Sequence, residues 1–579
     1  MKPLPEVLAA RAVHQYRRRD IFAYVSLRQY LKNHAALRDI WSDEIAMDLV
    51  ADRKQPYYNE VKSFKEIHAQ TFETEFRSIH IPGPNEILAE TALLAACAEA
   101  GGAFRCHPSV YSYRLCNNPS DNVGVFEPYF DGFKQRHTDI AAACHAQPDA
   151  IVIYTDIRKY YPSITLDRAL SAWRRVCKEV NLEARYAALG EKLFSDSRIY
   201  QNPDEPDQKL LTGPMLSHVI GNLIFRDIDE DLSAHLPNGY FRYVDDVAIV
   251  APRERALAIE QRLEEQLKRL DLELNHGKRI EVSASKWLKG ENDFVDNPGV
   301  SWKTFVGDMK RLLLFYPQER KTLQTLFNLT GIRILPIDYA DAVHERNFLE
   351  NINHYIRFRW FRRSTRAKSW AGVIANQAVE LRRRYAAELE TLLNEFESLR
   401  EYERKRKLYR LRFLVARMAY LGLSQDLPVI SQAISGIPEM AMASAVYDSI
   451  ASRRVTQLMK YGPTAAQSAA QPLRAGGDTV TCGEVDWSKN EVIQAYAVFR
   501  LNGLKVEGVP VTVLHPIVRF SDWTELSFSL FKERDGYFRE LGCIHGMDDP
   551  DANRWAIETA FDPDDAMVFD MQEIMQASS

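Results

Sequence analysis

Two adjacent carboxylates stand inside an apolar, β-branched stretch of the sequence. The stretch is YFRYVDDVAIV, residues 240–250, and the acids are Asp245 and Asp246. Removing an unpaired carboxylate from water costs several kcal/mol, so both acids need a partner that neutralises them. A tight turn between two strands would place them at one end of a sheet. A divalent metal ion is a natural partner there, because Mg²⁺ prefers a few carboxylates together with substrate phosphates.

A third carboxylate follows another apolar run. Asp156 comes near the end of AIVIYTDI, residues 150–157. Two metal ions about 4 Å apart, held by carboxylates from separate strands, can activate an attacking oxygen and stabilise a leaving oxygen in phosphoryl transfer. The sequence therefore predicts that Asp156, Asp245 and Asp246 meet around two Mg²⁺ ions, with Mn²⁺ as an alternative metal.

The segments that must position these acids alternate between short β-rich runs and helical stretches. The third β-rich run is LLLFY, residues 312–316, and residues 254–270 carry apolar side chains at helical spacing. This alternation predicts an α+β domain with a small antiparallel sheet. Amphipathic helices dominate beyond residue 330, and the Gly, Pro, Ser and Ala content of residues 460–478 predicts a linker or long loop.

Four regions result from this pattern. They are an N-terminal helical segment (1–75), the α+β domain (76–320), a helical, repeat-like region (321–470) and a mixed, mostly helical C-terminal region (471–579).

Composition predicts a cytoplasmic protein with no membrane segment. A hydrophobic content of 46% with 26% charged residues over 579 residues is typical of a globular protein of several domains. No run of about 18 uncharged apolar residues occurs, and the N-terminus lacks an apolar signal core. The seven cysteines are scattered without a CxxC pair, which favours reduced, structural thiols over a zinc site.

Positive charge is concentrated locally although the net charge is −5. RFRWFRRSTRAK, residues 357–368, holds six Lys or Arg residues and no acid. Guanidinium groups bind phosphates and aromatic rings stack on bases, so this run is a candidate nucleic-acid track. An amphipathic helix with a solvated charged face is the equal alternative. The candidate residues are Arg357, Arg359, Trp360, Arg362 and Arg363.

Three motifs in order give a family resemblance. YTDIRKYYPSI (154–164), LLTGPMLSHVIGNLIFRDID (210–229) and YVDD resemble palm motifs A, B and C of reverse transcriptases. The resemblance covers about residues 55–320. It implies that residues 76–320 form fingers and palm, that the helical region after them is thumb-like, and that the enzyme is a DNA polymerase of RNA-directed type.

The resemblance also implies roles for individual residues. Asp156 and Asp245 would be the principal metal ligands, Asp246 the adjacent carboxylate and the Ile157 carbonyl a further metal contact. Tyr161 would lie under the incoming sugar, where its ring clashes with a 2′-hydroxyl and favours deoxynucleotides. The alternative is that Tyr161 is an ordinary surface or core aromatic residue.

Motif B would support the template and the nucleotide. Gly213 and Pro214 in TGPMLSHVIGN permit a close approach of the backbone. Asn222 would face the nucleotide, although an ordinary polar helix position explains it equally well.

Two further segments would supply cations. LNHGK (274–278) resembles motif D, in which Lys278 protonates or neutralises the departing pyrophosphate. SVYSYRL (109–115) resembles a fingers segment, in which Arg114 grips the triphosphate. A surface lysine and a structural salt bridge are the alternatives. No Lys or Arg occurs between Pro82 and Arg105, which departs from the usual fingers pattern.

The length beyond the palm resembles the abortive-infection and related defence-associated reverse transcriptases of bacteria. That resemblance implies antiphage defence through DNA synthesis from dNTPs, either template-independent, protein-primed or copied from an associated non-coding RNA. It also implies a homo-oligomer, a trimer or a hexamer. The alternatives are a conventional RNA-templated enzyme and a nucleic-acid-binding assembly with a vestigial palm.

Overall fold

A computed structural model describes most of the chain between residues 58 and 513. The described ranges are 58–67, 74–116, 124–127, 129–197, 209–290, 301–316, 318–336 and 369–513, with a few isolated positions elsewhere. This part is mostly helical and contains small sheets. None of its helices has both the length and the apolar composition that crossing a bilayer requires.

The strands form one central sheet and two smaller pairs. The central sheet is antiparallel with the order β4-β5-β3-β6, while β1 and β2 form an antiparallel hairpin and β7 pairs with β8 in parallel. The strands are β1 (Tyr58–Ile67), β2 (Thr74–Pro82), β3 (Ile151–Asp156), β4 (Tyr240–Tyr243), β5 (Asp246–Ala251), β6 (Ile280–Ser283), β7 (Thr479–Thr481) and β8 (Lys505–Glu507).

The helices fall around and after this sheet. They are α1 (Pro84–Ala100), α2 (Tyr129–Ala146), α3 (Tyr160–Ser163), α4 (Leu166–Glu179), α5 (Ala184–Ser197), α6 (Met215–His235), α7 (Arg253–Arg269), α8 (Ala284–Leu288), α9 (Trp302–Phe315), α10 (Glu319–Thr330), α11 (Trp370–Phe396), α12 (Glu401–Leu421), α13 (Asp426–Ser435), α14 (Ala441–Ser452), α15 (Thr456–Met459), α16 (Gly462–Ala475) and α17 (Asn490–Leu501).

Both faces of the central sheet are covered, which explains the unbroken apolar runs of β3 and β5. Ile153 and Ile249 belong to the main core, and α7 packs on their strands. Val152 and Val250 point to the other face and join a second cluster that includes Trp287 of α8. Strands covered on both faces lose the alternation of polar and apolar residues. The predicted mixed α/β architecture with a small antiparallel sheet is confirmed.

The prediction of a strand at LLLFY is wrong. These residues end α9, whose start is capped by Ser301: its Oγ accepts a hydrogen bond from the Thr304 amide at 3.0 Å. The apolar residues of α9 recur at helical spacing and are buried, namely Trp302, Phe305, Val306, Met309, Leu312 and Leu313. The apolar residues of LLLFY therefore belong to the buried face of a helix. The strand that pairs with β3 in the central sheet is β6 instead.

The predicted helical segment 1–75 contains a strand where the structure describes it. β1 pairs with β2 along nearly its whole length, with a register shift between Phe64 and Glu66. Only Tyr58 and Val61 of β1 are fully buried. Because most of the strand's side chains are only partly covered, its sequence is polar and aromatic and lacks the apolar run of a core strand.

The predicted linker 460–478 is largely the helix α16. Pro463 stands in its first turn, where the missing N–H costs no hydrogen bond. Small residues let neighbouring elements approach closely: Ala466 and Ala470 are completely buried, and a Cβ on Gly462 would lie 3.1 Å from the carbonyl oxygen of Lys62 in β1. The composition that suggested a loop is that of a tightly packed helix.

One side chain of α17 joins the C-terminal helices to the β1–β2 hairpin. The Gln494 amide accepts a hydrogen bond from the Lys62 N–H at 2.9 Å and donates one to the Glu60 carbonyl at 2.6 Å. Gln494 thus satisfies the backbone of β1 on the side away from β2, and its own burial is 99%. The hairpin is therefore fixed to elements more than 400 residues away in the chain.

Replacing Gln494 by Ala should loosen this edge of the hairpin. It leaves one N–H and one carbonyl of β1 without their protein partner, which costs about 1–3 kcal/mol locally. Amide hydrogen exchange at Lys62 should accelerate. Gln467→Ala, which removes a side-chain hydrogen bond to Asn502 away from β1, is the control. Equal exchange at Lys62 in the wild type and the Gln494 variant would contradict the anchoring role.

Candidate active site

The three predicted acids meet at one end of the central sheet. Asp156, the last residue of β3, is the direct cross-strand partner of Asp246, the first residue of β5. Asp245 occupies the two-residue turn between β4 and β5, and its carbonyl accepts a hydrogen bond from the Ile157 N–H at 3.0 Å. Asp156 is 4% exposed and Asp246 is 7% exposed. The register therefore places Asp156 beside Asp246, with Asp245 in the adjoining turn, and their role as metal ligands stays a prediction.

The turn that carries Asp245 has an unfavourable backbone conformation. Val244 has φ = 54°, a left-handed value that a β-branched residue rarely adopts. Such a residue costs about 1–3 kcal/mol and persists only where the surroundings hold it. The Val244 N–H donates to Ser112 Oγ at 2.8 Å, and Arg242 Nη1 donates to the Val244 carbonyl at 2.9 Å. Both backbone groups of Val244 are therefore bound to fixed partners.

A buried ion pair supports the turn from below. Arg242 is 0% exposed and donates to both carboxylate oxygens of Asp229 on α6, from Nε at 2.8 Å and from Nη2 at 2.7 Å. Tyr240 donates to the same carboxylate at 2.8 Å. Burial alone would lower the pKa of Arg242, and the attraction of Asp229 overcomes this and raises it. The guanidinium therefore stays charged, and its bonds to Asp229 tie β4 to α6.

Asn222 belongs to this support. Its Nδ2 donates to the Ser112 carbonyl at 3.0 Å, and its Oδ1 accepts from Arg242 Nη2 at 3.2 Å. The side chain does not line the cavity above the acids. The structure therefore places Asn222 behind the turn and outside the cavity. This position does not bring the side chain to a nucleotide bound above the acids.

Burial and neighbouring carboxylates raise the pKa of Asp245 and of Asp246. Burial, then repulsion from Asp246 and Asp156, raises the pKa of Asp245 to about 7, and Arg77 on β2 partly opposes this. Burial also raises the pKa of Asp246. The site is therefore short of positive charge, which a bound cation would supply.

The donor set suits a hard divalent cation, but only with outside ligands. Among the described residues, no three carboxylate, imidazole or thiol groups converge closely enough to enclose a metal ion. Carboxylate oxygens are what Mg²⁺ takes from a protein, usually one or two of them, with water and phosphate completing the shell. Asp156, Asp245 and Asp246 are the residues that would hold such an ion.

Among the described residues, the cations near the acids include Lys278, Arg136, Lys405 and Arg77, of which the motifs in the sequence had indicated Lys278. Lys278 Nζ lies 3.6 Å from Asp156 Oδ2, as the motif D resemblance leads one to expect. Arg136 of α2 donates to the Asp246 carbonyl at 3.2 Å, and Lys405 of α12 lies 4.8 Å from the centre of the Tyr154 ring.

Lys405 is electrostatically coupled to the acids. Burial lowers its pKa, and the charges of Asp246 and Asp156 oppose that effect. The fourth cation, Arg77, faces Asp245 from β2. No local pattern marked Arg77 or Arg136, because each comes from an element distant in sequence. Lys405 lies in the basic run 404–407, a pattern typical of a solvated surface or a subunit contact.

Asn275 fixes the position of Asp156. Its N–H donates to the Asp156 carbonyl at 2.7 Å and its Nδ2 donates to Asp156 Oδ2 at 3.0 Å. The motif LNHGK contains this asparagine, so the pattern was visible in the sequence, but only its lysine was assigned a role.

A cavity of about 480 Å³ opens above the acids. Its walls include Lys65 and Arg77 of the β1–β2 hairpin, Tyr161 of α3 and Tyr409 of α12. Ligand sites for molecules of nucleotide size typically measure about 300–1,000 Å³. The cavity therefore has room for a nucleotide-sized ligand between a carboxylate floor and the β1–β2 hairpin.

Gly213 is required where the loop before α6 meets β2. It has φ = 129°, and a Cβ there would lie 2.2 Å from the His80 carbonyl oxygen. The His80 N–H donates to the Thr212 carbonyl at 2.7 Å. Gly213 lines the cavity, whereas Pro214 precedes the first residue of α6 and sets its start.

Arg114 lies away from the acids. Its Nε and Nη2 donate to the carbonyls of Val110 and Pro108, at 2.5 and 2.9 Å, and its guanidinium stacks on Tyr111. It lines a separate cavity of about 430 Å³. The structure does not bring Arg114 to the carboxylate site, whereas Arg77 lines the cavity above the acids.

The candidate nucleic-acid track falls almost entirely outside the described residues. Arg359 is exposed and has helical backbone conformation. The other members, Arg357, Trp360, Arg362 and Arg363, lie outside the described part.

Comparisons with known proteins give distant structural likenesses only. No family model matches the chain, and no curated protein matches it. Matching solved structures include an apo telomerase from Candida tropicalis truncated from the C-terminal domain, with 12% identity and a TM-score of 0.25. That match covers 42% of this chain, which spans only 55% of the telomerase chain.

Two further telomerases match over a larger share. One is from Candida albicans in complex with the TWJ fragment of telomeric RNA, with 10% identity, a TM-score of 0.27 and coverage of 69% of this chain and 68% of the other. The other is apo telomerase from Candida tropicalis, with 10% identity, a TM-score of 0.27 and coverage of 66% and 67%. Telomerases are reverse transcriptases, but scores at this level carry no argument about activity.

Replacing Arg242 by Met should destabilise the protein strongly. Breaking a buried ion pair from one side leaves an uncompensated charge, here Asp229, and costs about 3–5 kcal/mol. The melting temperature should fall sharply. Arg174→Met, which breaks an exposed pair with Glu191, should change it little. A similar small shift in both variants would show that the buried pair does not support the fold.

The pH dependence of stability should report on Asp245. An unfolded Asp titrates near pH 3.9 and this one near pH 7, so the folded state keeps a proton that the unfolded state has released. Its stabilising effect is complete below the lower value and is lost as pH rises through about 7.

Asp245→Asn removes this titration. In the presence of a chelator, wild type should lose melting temperature relative to Asp245→Asn between about pH 5 and about pH 8. Asp227→Asn, at an exposed pair with Arg175, serves as the control. Parallel pH profiles of wild type and Asp245→Asn would contradict the raised pKa.

Proposed function

We propose that this chain is a DNA polymerase of the reverse transcriptase family, which adds dNTPs by metal-assisted phosphoryl transfer. The observation that carries the proposal is the cross-strand pairing of Asp156 with Asp246, with Asp245 in the adjoining turn, below a nucleotide-sized cavity. The motif order in the sequence and the sheet register in the structure support it independently. In this assignment the four-stranded sheet is the palm and the β1–β2 hairpin belongs to the fingers.

Asp156, Asp245 and Asp246 hold the magnesium ions in this proposal, with the Ile157 carbonyl beside them. Bound Mg²⁺ would offset negative charge on the phosphates and help the attacking hydroxyl to lose its proton. The primer hydroxyl would release its proton to solvent as its oxygen forms a bond to the α-phosphorus of the nucleotide, and the bond from that phosphorus to the pyrophosphate oxygen would break. Two of the three acids are held rigidly by Asn275 and by the strained turn, so little rearrangement precedes the reaction.

The cations around the cavity have complementary roles. Arg77 lies on the hairpin wall, where it would bind the β- and γ-phosphates. Lys65 lies on the same wall, paired with Glu75 at 2.8 Å, and would bind a phosphate by exchanging that partner. These two residues would take the place of the basic residues missing between Pro82 and Arg105. Lys278, 3.6 Å from Asp156, is close enough to the reacting centre to donate a proton to the departing pyrophosphate.

The test is incorporation of single labelled dNTPs by the purified protein. Product should form with Mg²⁺ or Mn²⁺ and disappear with a chelator. Asp245→Asn/Asp246→Asn should reduce the rate at least about a hundredfold, the scale on which removing a charge-stabilising group acts. Asp227→Asn is the matched control at an exposed site. Unchanged synthesis by the double variant would reject the catalytic role, and absence of synthesis by wild type would favour a vestigial palm.

The same assay separates the modes of synthesis. Product formed without any added nucleic acid supports template-independent or protein-primed synthesis. Product that requires an RNA, or whose sequence matches an RNA purified with the protein, supports a conventional templated enzyme. Digestion with protease tells a protein-linked product from a free strand.

We extend the proposal to antiphage defence on the resemblance to defence-associated enzymes. Cells that express the wild type should plate phage less efficiently than cells with Asp245→Asn/Asp246→Asn. Equal plating with both would remove defence from the proposal and leave the polymerase reaction untouched.

A further inference from the structure

A histidine on α6 lies between two tyrosines of the cavity region. His218 is 3% exposed. Its ring is stacked on Tyr113, with centroids 3.7 Å apart and planes 5° apart. On its other side, His218 Nδ1 and the Tyr161 hydroxyl share a hydrogen bond of 2.5 Å. The histidine therefore links the cavity wall at Tyr161 to the loop that carries Tyr113.

The histidine is itself held in place. Phe126 packs edge-on against both Tyr113 and His218, at 5.3 and 6.3 Å between ring centres. Tyr113 has φ = 50°, an unfavourable value for a bulky residue that only surrounding contacts maintain. The start of α6 is fixed by Glu90, which accepts a hydrogen bond from the Met215 N–H at 3.1 Å. His218 is thus a rigid part of the wall and cannot follow a movement of Tyr161.

Tyr161 is the group that needs such support. It lines the cavity with Asp156 and Asp245, and its side chain is only partly buried. The Tyr161 ring packs edge-on against the rings of Tyr160 and His218, with ring centres 5.0 and 5.2 Å apart. A shift of about 1 Å would change whether a sugar oxygen fits beside the ring. The hydrogen bond to His218 fixes the ring and engages the hydroxyl.

We propose that His218 is the residue that sets the sugar selectivity of this site by holding Tyr161 where its ring excludes a 2′-hydroxyl. The proposal rests on the proposed polymerase function and deepens it by assigning the substrate class, deoxynucleoside triphosphates, to a defined contact. His218 also lines the cavity, and the proposal assigns it a positioning role in which it acts on the sugar through Tyr161.

Three substitutions separate the hydrogen bond from the ring stacking. Tyr161→Phe keeps the ring and removes the hydroxyl. His218→Phe keeps an aromatic ring against Tyr113, but its carbon edge cannot approach the hydroxyl as closely as Nδ1 does. His218→Asn places a polar atom the same number of bonds from Cα as Nδ1, so it restores the hydrogen bond without the stacking.

The matched control is the neighbouring tyrosine. Tyr160 donates a hydrogen bond to the Gly221 carbonyl on the same helix at 2.8 Å. Tyr160→Phe therefore removes one hydrogen bond between α3 and α6 without freeing Tyr161. Circular dichroism and melting temperature report whether each variant is folded.

The experiment measures kcat/KM for a single dNTP and for the matching rNTP. The ratio of the two should fall about five- to tenfold in Tyr161→Phe and in His218→Phe, the factor that one net hydrogen bond is worth. The double variant should fall no further than either single variant, because both remove the same interaction. His218→Asn should keep a ratio closer to that of the wild type, and Tyr160→Phe should keep it unchanged.

The outcomes distinguish this inference from the proposed function. If wild type incorporates dNTPs selectively and the ratio is the same in His218→Phe, the polymerase assignment stands and the role of His218 is wrong. An equal loss of selectivity in Tyr160→Phe would also overturn it, since general loosening of α3 would then be the cause. Absence of incorporation by wild type rejects the proposed function itself.

Discussion

The site depends on one buried ion pair, Arg242 with Asp229. The guanidinium binds three groups at once: the carboxylate on α6, the Asn222 amide and the carbonyl of Val244. Only a planar, permanently charged group with several donors can do this. The strained turn, and with it Asp245, is thereby fixed relative to α6. The end of the sheet that carries the acids is rigid because the charge of Arg242 beneath it is fully paired.

Above the turn, by contrast, the negative charges are not fully compensated. Burial and repulsion between carboxylates raise the pKa of Asp245 and Asp246, because the surrounding residues do not fully compensate their negative charge. Arg136, Lys278 and Lys405 reduce the repulsion but do not remove it. Perturbed acids that gather at the floor of a cleft are typical of functional sites, where the fold gives up stability to keep a group ready for its ligand. The stability contributed by the Arg242–Asp229 pair below the turn offsets the cost of the uncompensated carboxylates above it.

Sequence reasoning succeeded where the determining interactions are local. The strand ending in Asp156 and the hairpin at Asp245 and Asp246 follow from apolar runs that break at carboxylates. The pairing register of β3 with β5 then places Asp156 beside Asp246. It failed where tertiary packing decides: Arg136 and Lys405 have the neighbours of solvated helix residues, yet α2 and α12 carry them to the acids. Asn222 belongs to a motif helix, but which face it occupies depends on Arg242. The helix at 462–475 was missed because close packing demands the small residues that loops also use.

The cavity is closed by parts of the chain that lie far apart in sequence. The β1–β2 hairpin is anchored by Gln494 of α17. Helix α12 reaches α8 through Tyr402, which is stacked on Trp287 at 5.4 Å, and it reaches β3 through Lys405, which lies over Tyr154. One turn further along, Tyr409 lines the cavity itself. Helix α12 is therefore part of the wall of the site together with the hairpin, and α17 holds that hairpin in place.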